Sequence, residues 1–139
     1  MSDEVMGIDK LQQLIQGGPF NQWLNFTVLK MDRDGIEIKA TWREEWVVHP
    51  GRRFTHGGIL AAIIDVAADY AIAARLGRPV PTIDLRVDYH KAAMPGDVIA
   101  KARVLRLGGQ YSTAEAYLYD SNGALVASGR GTYFTASPK

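Results

Sequence analysis

Residues Phe54–Leu76, FTHGGILAAIIDVAADYAIAARL, decide how the rest of the chain is read. The stretch enters through His56-Gly57-Gly58 and then runs almost without a polar side chain. Two carboxylates, Asp65 and Asp69, lie inside it, and Arg75 adds a charge near its end. An alanine-rich helix that is apolar on nearly every face is one that other structure surrounds. A carboxylate in such a helix costs free energy unless it is paired, hydrated or used. Asp65 is read as used.

Downstream, Gly77 ends the helix, and Pro79 and Pro81 prevent its continuation. Upstream, Glu44 to Thr55 reads as a loop with Pro50-Gly51 as its turn. Before that loop, Ile8, Leu11, Leu14 and Ile15 follow a helical spacing that Gly17-Gly18-Pro19 stops, and Phe20 to Leu24 adds a further turn. Asn25–Met31 and the alternating Ile36, Ile38, Ala40 and Trp42 predict a hairpin around Asp32-Arg33-Asp34-Gly35. Beyond the helix, four strands are predicted from Ile83, Val98, Tyr111 and Ala124 onward, with turns at Met94–Asp97, a tight Gly108-Gly109 hairpin, and Asp120–Gly123. The expectation is a single α+β domain over 1–139: a hairpin, one long central helix, then a four-stranded antiparallel meander. Residues 1–18 hold an N-terminal helix and 135–139 a loose tail.

Composition limits the function. Hydrophobic residues make up 47% of the 139, enough for a core, so a folded domain is expected. Net charge is +1 with both signs mixed, which gives no footprint for nucleic acid. There is no cysteine, hence no disulfide, thiolate metal site or cysteine nucleophile, in keeping with a reducing cytoplasm. The acidic start, MSDEVMGIDK, lacks a signal-peptide pattern, and a cytoplasmic location is expected. The central run is about long enough to cross a bilayer, but its two internal Asp argue against a membrane span. His49, His56 and His90 are scattered, and no metal motif, nucleophile elbow or phosphate-binding loop appears.

The strand order and the motif together resemble the hotdog fold, and His56-Gly57-Gly58 with an acid at Asp65 resembles the PaaI-like acyl-CoA thioesterases. Thr82, the segment Tyr89–Asp97 (YHKAAMPGD) and Gly123–Ala127 are similar to that family as well, so the resemblance covers Pro19 to Phe134. It implies a six-stranded antiparallel sheet wrapped around the central helix. The implied reaction is hydrolysis of an acyl-CoA thioester to free acid and CoA without a metal or redox cofactor, coenzyme A being part of the substrate. Asp65 is the implied general base toward water, or the nucleophile.

The residues make physical sense beside that likeness. Unpaired N–H groups at a helix N-terminus stabilise an oxyanion, and glycine lets a carbonyl come close, so Gly57 or Gly58 N–H is the expected donor. His56 is expected to orient the loop. Thr82 stands where the family often has a hydroxyl beside the acid. The family's Asn or Gln, six residues before the motif His, is here Pro50; the neighbouring His49 is the candidate substitute. Asp69 is the rival acid, expected to pair with Arg75 or an arginine on the sheet. Basic residues should meet the phosphates of CoA. Arg52 and Arg53 lead, with Lys91, Arg103, Arg106 and Arg130 behind them. Where the family often has Gly-Arg, this chain has Gly108-Gly109, which leaves Gln110 and Ser112 to contribute.

Helical rise adds one constraint. Gly58 and Asp65 are about 10 Å apart along a helix, whereas reacting atoms must come within about 3–3.5 Å. Two antiparallel helices from two copies meet that demand, each Asp65 facing the other copy's glycines. A homodimer is therefore expected, and the resemblance implies a dimer of dimers. Three other readings stay open: a non-catalytic acyl-CoA binder, a hotdog hydratase, and an interaction module.

Overall fold

The computed structural model describes residues 6–137. The expectations for the first five residues and for the last two residues of the tail lie outside the described residues. Helix α1 (Ile8–Ile15) and the short α2 (Pro19–Leu24) come first, followed by β1 (Phe26–Met31) and β2 (Gly35–Ala40). A 3-10 turn at Glu44–Trp46 leads into a small hairpin, β3 (Val47–His49) and β4 (Arg52–Thr55). Helix α3 (Gly57–Leu76) follows, then β5 (Thr82–Tyr89), β6 (Val98–Arg106), β7 (Tyr111–Tyr119) and β8 (Leu125–Phe134).

The six long strands form one antiparallel sheet, ordered β1-β2-β6-β7-β8-β5, and α3 packs on one face of it. This is the expected α+β architecture. Two details differ from expectation. The segment read as a loop before α3 contains the β3–β4 hairpin, with Val47 opposite Thr55 and His49 opposite Arg52. The C-terminal half is also not a four-stranded meander. Only β6, β7 and β8 follow one another; β5 pairs with β8 at the far edge. Met94–Asp97 therefore belongs to a crossover rather than a hairpin turn. His90 and Lys91 donate to Val126 O, Ala93 O accepts from Thr55 N–H, and Asp97 Oδ1 accepts from Trp42 N–H at 2.8 Å.

The inner face of the sheet is lined by small residues, which lets α3 lie close. Ala100, Ala102, Ala114 and Ala116 are buried there. On β8 the space is tightest: a β carbon at Gly129 would stand 2.9 Å from Ile64 Cγ2 of the helix. Leu60, Ile63, Ile64, Ala67, Ala71 and Ala74 of α3 complete the core with Ile36, Ile38 and Leu118. The helix stops where Gly77 turns left-handed (φ 83°) and its N–H returns to Ala73 O. No helix of the described residues is long and apolar enough to cross a membrane.

The two sheet edges are treated differently. At β1 the Gln12 side chain donates to Phe26 O and accepts from Val28 N–H, and Gln16 Oε1 accepts from Phe26 N–H. Two glutamines of α1 thus stand in for a neighbouring strand. At β5 no strand of the described residues lies on the outer side, and Ile83 and Tyr89 are 53% and 54% exposed.

Candidate active site

The entry to α3 is fixed from three sides. Thr55 N–H donates to Ala93 O, His56 N–H donates to Trp46 O, and His56 Nδ1 accepts from Gly58 N–H at 2.9 Å. The imidazole is therefore the N-cap, and it occupies one of the two glycine amides. Gly57, at the first helical position, has no intrahelical acceptor for its N–H. Its carbonyl accepts from Tyr89 OH at 2.8 Å, so the far end of β5 is tied to the helix start.

The near end of β5 is tied to Asp65. Asp65 Oδ1 accepts from Thr82 Oγ1 at 2.8 Å and from Tyr133 OH at 3.0 Å. Among the described residues Oδ2 has no hydrogen-bond partner. The two donors reach the same oxygen because Thr82 and Tyr133 are direct cross-strand partners on β5 and β8. Tyr133 is fully buried, and burial first, then the negative Asp65, pushes its hydroxyl well above the usual tyrosine range, so it stays a donor. Its ring folds back along β8 over Gly131, where a β carbon would stand 2.5 Å from ring atoms.

Tyr133 was missed in the sequence. Alternation alone left open which aromatic of the Tyr133-Phe134 pair faces inward. The signal was Gly131, two residues earlier on the same face, which leaves room for a large side chain to lie down.

Asp69, one turn beyond Asp65, is not ion-paired as expected. Its Oδ1 accepts from Val80 N–H at 3.0 Å, while Arg75 Nη1 reaches Arg33 O instead. Burial, reinforced by the negative Asp65 and opposed by the Val80 hydrogen bond, pushes its carboxyl up to about 7.

The remaining candidates are spread out. His49 sits exposed on the β3–β4 hairpin, its Nδ1 accepting from Gly51 N–H at 2.9 Å. Arg53 forms a two-bond pair with Glu44, and Arg52 beside it is exposed. Lys91 is exposed on the crossover, and Gln110 on the β6–β7 loop. Ser112 is fully buried, bonding Gly108 N–H and sharing a hydrogen bond with Thr135 Oγ1. Arg103 and Arg130 flank Glu115 on the outer face of the sheet, away from α3, and Arg106 Nη1 donates to Tyr111 O. A groove of about 900 Å³ lies by the β1–β2 turn and includes Lys30, Glu37, Lys101 and Tyr119. Neither Asp65 nor Gly57, Thr82 or Tyr133 lines it.

A carboxylate with one oxygen anchored and the other open can accept a proton or attack a carbonyl carbon, and a helix amide without an acceptor can bind an oxyanion. Residues 53–127 match the model of the thioesterase superfamily, and the chain belongs to that family, with the hotdog fold. A solved thioesterase-superfamily protein is 45% identical, with a TM-score of 0.89 over 91% of this chain and 96% of that one. The medium/long-chain acyl-CoA thioesterase YigI of Escherichia coli is 26% identical, with 83% of this chain and 84% of YigI aligned. Zebra fish thioesterase superfamily member 2 shares the fold, with a TM-score of 0.82 at 24% identity over 94% of this chain and 99% of that one.

Proposed function

We propose that the protein hydrolyses acyl-CoA thioesters at sites shared between two copies of the chain. The observation that carries this reading is the Asp65 carboxylate, held through Oδ1 by Thr82 and Tyr133 with Oδ2 unengaged. Two hydroxyl donors on one oxygen fix the orientation of the carboxylate. In the base route, Oδ2 takes a proton from water as the water oxygen bonds to the thioester carbon. The carbonyl electron pair moves onto oxygen, where Gly57 N–H stabilises it. The C–S bond then breaks, and the CoA sulfur leaves and takes up a proton. In the nucleophile route, Oδ2 itself attacks, CoA leaves, and water cleaves the resulting anhydride. An acyl-Asp65 adduct trapped by hydroxylamine, or label in Asp65 after a single turnover in oxygen-18 water, supports the nucleophile; label in the released acid alone, with no trappable adduct, supports the base.

The shared site is supported by distance and by the sheet edges. Gly57 and Asp65 lie about 12 Å apart along α3, too far to act on one carbonyl. A two-fold axis beside β5 would pair its bare edge with a second β5 and lay two α3 helices antiparallel, each Asp65 beside the other's Gly57. The exposed Ile83 and Tyr89 would be covered.

YigI's name makes medium- and long-chain acyl-CoAs the first substrates to try. Asp65→Asn is expected to lower kcat by at least ~100-fold while CoA-ester binding persists. An Asp65→Asn variant that keeps wild-type turnover overturns the assignment. A wild-type protein that binds these esters without cleaving them supports the non-catalytic binder instead.

A further inference from the structure

Between α3 and β5 the chain runs Gly77-Arg78-Pro79-Val80-Pro81. The prolines have fixed φ angles and no N–H, so Val80 carries the only backbone donor of the Pro79–Pro81 strap. Val80 is buried, and an unpaired amide there would be costly. Asp69 Oδ1 accepts that N–H at 3.0 Å. On the other side, Pro81 O accepts from Phe134 N–H at 2.9 Å. The next residue is Thr82, whose hydroxyl meets Asp65. A stiff strap, held to α3 through Asp69 and to β8 through Phe134 N–H, thus joins the two carboxylates of α3.

We propose that Asp69 is a positioning residue for the reaction: by holding Val80 N–H it sets where β5 begins, and so places the Thr82 hydroxyl on Asp65. This rests on the reading of Asp65 as the reacting carboxylate. It gives the second acid of the helix a task other than chemistry on the substrate. The ionisable groups around Asp69 are Asp65, Tyr70 and Tyr133, and among the described residues no cation pairs with it. Its acceptor oxygen, not an ion pair, does the holding, so an amide in its place should serve nearly as well.

Four variants test this on the full-length protein: Asp69→Ala, Asp69→Asn, Thr82→Ala, and Asp69→Ala with Thr82→Ala. Asp69→Ala is expected to lower kcat ~10-fold with KM changed less than ~2-fold, and Asp69→Asn to stay within ~3-fold of wild type. The double variant is expected to be no slower than Thr82→Ala alone by more than ~2-fold, because Asp69 acts through Thr82. Multiplying losses, or Asp69→Asn as slow as Asp69→Ala, overturns the proposal. Asp69→Leu repeats the deletion with the side-chain volume kept, should the alanine variant fail to fold. A crystal structure of either deletion variant gives a readout independent of turnover. The Thr82–Asp65 hydrogen bond is expected to be broken, and its retention overturns the latch. If that bond is broken but the wild-type protein cleaves no thioester, the thioesterase reading fails and the latch stands.

Discussion

At the scale of single residues, the organising feature is the unequal treatment of the two Asp65 oxygens. Tyr133→Phe removes the hydroxyl that lies 3.0 Å from Asp65 Oδ1 and 3.1 Å from Asp65 O. A hydrogen bond to a charged group is worth about 1.5–3 kcal/mol, so kcat is expected to fall ~10-fold with KM nearly unchanged, as steady-state kinetics would record. Unchanged kcat would mean that Thr82 alone holds the carboxylate. Asp69 leaves a different trace. Its carboxyl is raised from 3.8 to about 7, so between those values the native state keeps a proton that the unfolded chain has released. Stability therefore falls as pH rises across that window. Urea unfolding at pH 5 and pH 8 is expected to show the loss in wild type and a clearly smaller one in Asp69→Asn. Equal slopes in the two proteins would contradict the burial of a protonated carboxyl. Asp65 and Thr82, whose side chains the structure brings together, were candidates from the sequence because the family resemblance points to both positions. Tyr133 was not, because its role depends on cross-strand register, and the latch on Val80 was not, because a backbone amide leaves no mark in a sequence.

At the scale of elements, α3 was legible almost to the residue. Its apolar run, the His-Gly-Gly entry, and the Gly77 exit are local signals that tertiary packing did not override. The hydrogen bond of Gly58 N–H to His56 was not legible, and it makes Gly57 the proposed oxyanion donor. Gly57→Pro is the sharpest probe of that donor. Proline is tolerated at the first helical position, and the preceding His56, at ψ 132°, already has the extended backbone that proline requires. The helix is expected to remain, by circular dichroism, while kcat drops by ~100-fold from loss of one oxyanion donor. A fully active Gly57→Pro protein would assign the donor elsewhere. The strands tell the opposite story. Alternation identified all six long ones, yet nothing in the alternation of β5 says whether its neighbour is β6 or β8. Chain order suggested β6; the crossover from His90 to Asp97 makes it β8.

At the scale of the whole molecule, that displacement of β5 matters most. It leaves the strand on an open edge with one end at Asp65 and the other at Gly57, while α1 glutamines close the opposite edge. In the proposed reading the chain presents both halves of a site along one bare strand, and the groove by the β1–β2 turn lies elsewhere. Complementation between two inactive variants tests the shared site most directly. Asp65→Asn and Gly57→Pro proteins, each inactive alone, are unfolded and refolded together in equal amounts, and acyl-CoA hydrolysis is measured. In a mixed dimer both lesions fall in one site and the other site is intact, so about a quarter of wild-type activity is expected to return. A mixture no more active than the two variants measured separately would contradict the account.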